Sequence, residues 1–172
     1  MYQPQQPKMR VLKRNGQYEE VSFDKILNRI KSLSQGPEFS LKLSIDETLI
    51  AQKVVQEIYD GVKTTELDEL SSQISIAMYS KNPEFKILAS RIVVSNHHKN
   101  TKDTFSEKIE ELYNYHSNGQ HKPLIAEYMY QLVIQNRVEI DSVIDYQKDY
   151  DFDFFGFKTL EKSYLYKTDG KI

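Results

Sequence analysis

Four short apolar stripes at helical spacing, the first two closed by glycine-based stop signals and the last three opened by cap signatures, set what this chain can fold into. Phe23, Ile26, Leu27, Ile30 and Leu33 repeat at the i, i+3, i+4 interval that gives a helix one buried face, and Gly36-Pro37 ends the run. Ser44-Ile45-Asp46-Glu47 has the form of a capping box, ahead of a stripe of Leu49, Ile50, Val54 and Ile58 that stops at Gly61. Thr64-Thr65-Glu66-Leu67-Asp68 reads as the capped start of a third helix, with Leu70, Ile74, Ala77 and Met78 on its apolar side. Asn82-Pro83 starts a fourth, asparagine as cap and proline at the first helical position, ahead of Phe85, Leu88 and Ile92. Upstream, residues 9–14 and 18–23 are strand-like runs around the hairpin signal Asn15-Gly16. Strand alternation puts Val11 and Lys13 on one face, Leu12 and Arg14 on the other. The expected fold is α+β and mostly α, with an N-terminal β-hairpin cap on a four-helix cluster.

After Thr101 the pattern changes. Phe105, Ile109, Leu112 and Tyr113 continue at helical spacing, Asn118-Gly119 breaks the chain, and Leu124, Ile125, Tyr128, Leu132 and Val133 form one more helix. Residues 146–166 hold Tyr146, Tyr150, Phe152, Phe154, Phe155, Phe157, Tyr164 and Tyr166, more apolar surface than a tail keeps in water, and are expected to pack on something this chain lacks. The Gln/Pro-rich residues 1–8 have no apolar signal region and are expected to be a disordered lead-in, which points to a cytoplasmic protein. The expected organisation is a lead-in over 1–8, one regulatory domain over 9–100 and a helical segment over 101–172.

With 39% hydrophobic and 28% charged residues the chain has a globular composition, and no apolar run approaches the ~20 residues that span a bilayer. A net charge of −2 argues against a nucleic-acid-coating protein. The charge is unevenly placed, however. Lys8, Arg10, Lys13, Arg14, Lys25, Arg29 and Lys31 outweigh Glu19, Glu20 and Asp24, so the N-terminal end can attract a small polyanion.

Signs of catalysis are missing. Gly156-Phe157-Lys158-Thr159 imitates the end of a phosphate loop without its upstream glycine. His97-His98, His116 and His121 lack a cysteine or carboxylate at ligand spacing and read as surface or capping histidines. Adjacent carboxylates such as Glu110-Glu111 diverge in space and make no acid/base pair. The pattern offers binding and no chemistry.

Val11-Leu12-Lys13-Arg14-Asn15-Gly16, Glu19 and Phe23-Asp24-Lys25-Ile26 resemble the opening signature of the ATP-cone, the nucleotide-sensing module of ribonucleotide reductases. Tyr59 to Asp68, Pro83 to Arg91 and Val94 to Lys99 are similar to the rest of that module, in order and with its spacing. Leu112-Tyr113-Asn114-Tyr115 and Phe154 to Leu165 resemble the beginning of the catalytic domain of the eukaryote-type class I large subunit. The resemblance therefore implies the ATP-cone for residues 9–100, and for 101–172 the truncated N-terminal part of the catalytic domain, leading into an absent barrel. By resemblance, Lys13, Lys25 and Lys99 are the phosphate-binding lysines, Glu19 the adenine-contacting carboxylate and Asp68 the residue at the sugar. Thr64 and the helix start beneath it add hydroxyl and N–H donors, Val11, Ile26 and Leu67 would wall the base slot, and Arg14 is a weaker candidate.

The implied effectors are ATP and dATP, accompanied or not by Mg2+, and they control the overall activity of ribonucleotide to deoxyribonucleotide reduction. The implied partners are the remainder of the large subunit, other large subunits and the small radical-generating subunit, with no nucleic acid and no membrane. Reduction in this family uses cysteines, and this chain has none, so it is expected to be an inactive piece of the enzyme without a redox cofactor. Two rival readings are a repressor that carries a cone behind a zinc ribbon, disfavoured because the ribbon needs four cysteines, and a decayed cone that serves only as a structural or oligomerisation module.

Overall fold

The computed structural model describes residues 9–168, and the lead-in expected for residues 1–8 lies outside them. The described residues form a mostly helical α+β structure with eight α-helices and two small sheets. They divide into two compact units, one of residues 9–96 with 152–165 and the other of residues 97–151 with 166–168.

In the first unit, β1 (Arg10–Leu12) pairs antiparallel with β2 (Tyr18–Glu20) and parallel with β3 (Val62–Lys63), in the order β2-β1-β3. The hairpin turn runs from Lys13 to Gly16, closed by the Gly16 N–H donating to the Lys13 carbonyl at 2.9 Å. Only Gly16 takes positive φ there, so Asn15-Gly16 ends a four-residue turn and does not form the two-residue type I′ loop. The third strand escapes the sequence pattern because two residues cannot display alternation. Gly61, predicted only as a helix stop, has φ +85° and donates its N–H to the Arg10 carbonyl at 2.8 Å, which leads the chain into β3.

The helices of this unit are α1 (Phe23–Gln35), α2 (Glu47–Glu57), α3 (Thr64–Ala77), α4 (Glu84–His98) and α8 (Phe154–Ser163). Helix α1 packs on α2, and α2 on α3. Ile30, Leu33, Ile50, Val54, Leu88, Ile92 and Val94 are fully or almost fully buried and form the core. Helix α4 is buried on nearly every side from Leu88 to Ser95, the environment of a central helix. Two local expectations change. Asp46, not Ser44, caps α2, its carboxylate accepting from the Leu49 N–H at 3.2 Å. Ser44 instead donates its N–H to the Glu84 carboxylate and accepts from the Asn82 amide at 3.1 Å. Thr64 is the first residue of α3 and not its cap; the Glu66 carboxylate reaches back to the Lys63 N–H at 3.3 Å.

The buried side of α3 also differs from the predicted stripe. Ala77 is exposed, while Ser71, Ser72 and Ser75 are buried beside Ile74 and Met78. Each serine hydroxyl bonds a carbonyl three or four residues back, at 2.7 Å, so it is satisfied within its own helix and leaves a small surface against which neighbours pack. A hydrophobicity pattern cannot register that face. Residues 36–46 fold over the end of α1, with Phe39 and Leu43 buried. Arg91 of α4 holds this segment, donating to the Leu33 carbonyl at 2.9 Å and the Leu41 carbonyl at 2.8 Å, its guanidinium 4.0 Å from the Phe39 ring centre.

The aromatic segment is accommodated differently from expectation. Phe154 and Phe157 are buried inside this chain, on α8, while Phe155 and Tyr164 are exposed. Asp153 caps α8, accepting from the Gly156 N–H at 2.7 Å, and also pairs with Lys86 of α4 at 2.9 Å. Gly156 is thus part of a helix start.

The second unit holds α5 (Phe105–Tyr113), α6 (Glu127–Gln135) and α7 (Arg137–Val143), with α5 packed on both others. Thr104 and Glu107 form a capping box at α5, and Ser106 bonds Asp141 of α7 through its hydroxyl at 2.5 Å. Asn118-Gly119, predicted as a break, is a two-residue loop in which both residues have positive φ. It joins β4 (His116–Ser117) to β5 (Gln120–His121), a hairpin signalled by the dipeptide itself. His98 is not a bare surface histidine, because its Nε2 lies 2.7 Å from an Asp149 oxygen. Among the described residues no helix is long and apolar enough to cross a membrane, and no cluster of three metal-binding side chains occurs.

Candidate functional site

Register brings the first three candidate side chains together. Val11 pairs directly with Glu19, so both side chains leave the sheet on one face, and Lys13, two residues after Val11 and just past the end of β1, follows on that face. Lys13 is therefore the diagonal neighbour of Glu19, and its ammonium pairs with that carboxylate. Lys25 reaches the other Glu19 oxygen from α1. Ser22 caps α1, accepting from the Lys25 N–H at 3.4 Å, which puts Lys25 in the first helical turn. A cation there opposes the positive end of the helix dipole, a local rule broken where a second purpose outweighs it. Glu19 between two ammonium groups compensates.

The Glu19 carboxyl is held below the usual carboxylate range, chiefly by its hydrogen bond from Lys13 and then by that from Lys25. A depressed folded value means that the contacts are complete above the ordinary carboxylate range and are lost as pH falls through the folded value. Carboxyl carbon chemical shifts followed against pH are expected to place the Glu19 midpoint below that of a free glutamate. In Lys13→Ala the midpoint should rise towards the ordinary value, and an unmoved midpoint would show that the lysine does not control it.

The third group surrounds Asp68, which is buried on α3 at 7% exposure. Arg29 of α1 donates Nε to Asp68 Oδ1 at 3.2 Å, and Arg14 from the hairpin turn donates Nη2 to Oδ2 at 3.4 Å. Arg14 also donates to the Asn96 side-chain oxygen at 2.6 Å and the Thr64 hydroxyl at 3.4 Å. Asn96 in turn donates to the Thr65 carbonyl at 3.3 Å. Hairpin, α1, α3 and α4 are thereby joined at one polar cluster. Among the described residues no buried side-chain nitrogen or oxygen lacks a hydrogen-bond partner.

The candidates are thus gathered in two linked groups: Lys13, Lys25 and Glu19, and Arg14, Thr64 and Asp68. Val11 is buried; Ile26 and Leu67 are half-buried. Lys99 follows α4 directly, exposed and within the second unit. Arg29, Ser95 and Asn96 were not singled out for this site from the sequence. The signal was available for Arg29, which lies four residues after Lys25 and so on the same helix face. A separate open groove is lined by Lys31, Lys42 and Lys81 but also by Asp46 and Glu47. Lys42 is engaged there by the Gly36 and Phe39 carbonyls.

A small sheet and helices thus bring two lysines and two arginines to one end, each paired with Glu19 or Asp68, and the cluster is built from side chains and not from a glycine loop. Residues 9–100 match the family model described as ATP cone domain, and the chain belongs to the ATP-cone family. Nearly the whole chain is also similar to longer proteins. It is 46% identical over 167 residues to the ribonucleoside-diphosphate reductase large subunit of Arabidopsis thaliana, covering 95% of this chain and 20% of that protein. Its identity to the large subunit of Danio rerio is 45% over 166 residues, covering 95% of this chain and 20% of that one, and to that of Vaccinia virus 47% over 166 residues, covering 95% and 21%. The chain spans about a fifth of the length of these relatives.

Proposed function

We propose that this chain is the allosteric effector-binding region of a ribonucleoside-diphosphate reductase large subunit, with the β-hairpin capping four helices as a working ATP-cone. The observation that carries the reading is the convergence of Lys13 and Lys25 on Glu19, because one exchange prepares both ends of a nucleotide site. A triphosphate, with or without Mg2+, draws the two ammonium groups away from the carboxylate. Glu19 is then able to accept from the 6-amino group of adenine, where guanine carries a carbonyl. The exchange is favourable because exposed lysine–carboxylate pairs are worth only ~0–1 kcal/mol, whereas a triphosphate offers several acceptors to charged donors. Thr64 and the α3 start assist at the phosphates, Lys99 supplies a third cation, Val11, Ile26 and Leu67 border the base, and Asp68 receives a ribose hydroxyl.

In the cytoplasm, the nucleotides control the overall activity of an enzyme that makes deoxyribonucleotides for DNA replication. They do so by binding alternative assemblies of large and small subunits with different affinity. Calorimetric titration of the chain with ATP, dATP and GTP tests the reading. ATP and dATP are expected to bind at least tenfold more tightly than GTP. A folded chain that takes up none of the three refutes this function and favours a cone kept for structure alone.

A further inference from the structure

We infer that Arg29 is a positioning residue for ribose recognition, orienting Asp68 so that an effector's 2′-hydroxyl donates to it and thereby setting the ratio of ATP to dATP affinity. The inference rests on the effector reading above. Arg29 meets Asp68 as a planar fork, Nε to Oδ1 at 3.2 Å and Nη2 to Oδ2 at 3.5 Å. Its Nη2 also donates to the Ser95 hydroxyl of α4 at 2.8 Å, so the guanidinium is tied to a second helix. A carboxylate gripped at both oxygens cannot rotate about its own axis without losing two charge-assisted bonds. Oδ2 receives both Arg14 and Arg29, while Oδ1 receives Arg29 Nε. With about two lone-pair sites per oxygen, Oδ1 keeps capacity for a further donor. The 2′-hydroxyl of a ribose supplies that donor, and a 2′-deoxyribose, which keeps only its 3′-hydroxyl, lacks it.

Arg29 therefore acts through Asp68, which gives it a signature that a merely structural arginine lacks. In calorimetric titrations of the full chain, Arg29→Gln is expected to weaken ATP roughly tenfold and dATP by less than threefold, the value expected for one bond to a charged acceptor. Asp68→Asn should shift the ATP to dATP ratio in the same direction. The double variant should shift it no further than Asp68→Asn does, since the two changes remove one function. Arg29→Lys keeps the charge but not the fork, and should move the ratio while melting within a few degrees of the parent. Equal weakening of both nucleotides by Arg29→Lys, or full additivity in the double variant, overturns the assignment. If the parent chain binds neither nucleotide, the effector reading fails and this inference with it. If it binds both and only the ratio is insensitive to Arg29, the inference alone fails.

Discussion

Arg91→Met is expected to lower the thermal unfolding midpoint of the chain by roughly 6–12 °C, the equivalent of about 3 kcal/mol. Arg91 is 5% exposed, and its guanidinium donates to the carbonyls of Leu33, Ser34 and Leu41 at 2.9, 3.3 and 2.8 Å. Two of these carbonyls belong to the last turn of α1, where the helix has no amide to offer them. A positive charge there also meets the negative end of the helix dipole. Methionine preserves the apolar stem and removes every donor, so the Leu33 and Leu41 carbonyls lose their partner at ~1–3 kcal/mol each while the Ser34 carbonyl keeps the Leu43 N–H at 3.1 Å, with partial relaxation of the 36–43 segment setting the sum. Lysine at 91 should recover less than half of the loss, because one ammonium cannot reproduce a fork that bonds α1 and the Leu41 carbonyl together. Circular dichroism melts decide the matter. A methionine variant that melts within about 2 °C of the parent would show that the segment is held without Arg91, by Phe39, Leu43 and the hydrogen bonds of Leu43 to Ser34 and Gln35.

Lys13→Ala is expected to weaken ATP roughly ten- to a hundredfold, as loss of one contact between a charged donor and phosphate of ~1.5–3 kcal/mol implies. The change falls on ligand and not on fold, since the Lys13 and Glu19 side chains are 42% and 25% exposed and Glu19 keeps Lys25. Arg10→Ala provides the control within the same hairpin. Arg10 lies on the opposite face from Val11 and Lys13, pairing with Asp60 at 3.3 Å between side chains that are 58% and 53% exposed. It should leave ATP affinity within about twofold, because such a pair is worth little and points away from the site. Were both variants to weaken ATP equally, the effect would be one of general charge and the site would not be the face that carries Glu19.

Much of this architecture was legible in the chain because the signals are local. Asn82 before Pro83, the Gly36-Pro37 stop and the periodicity of α1 each act within a few residues, so caps and stripes read directly as helices. Val11 and Lys13 shared a face by alternation alone, and the family signature supplied Glu19, Lys25 and Asp68 as candidates. What the chain could not disclose is nonlocal. Strand β3 exists because Gly61 meets Arg10, the serine face of α3 is buried because helices close on it, and Arg91 and Arg29 gain their partners from segments more than thirty residues away. Two copies of one dipeptide show the division. Asn118-Gly119 forms a type I′ loop and Asn15-Gly16 does not, although each is flanked by strands, because the register of the pairing strands and not the dipeptide selects the turn. By itself the sequence determined which residues carry charge, which stretches are helical and to which family the pattern is similar. Only the tertiary structure decided which cation meets which carboxylate, because long side chains choose partners by distances that exist after the helices and sheet have packed.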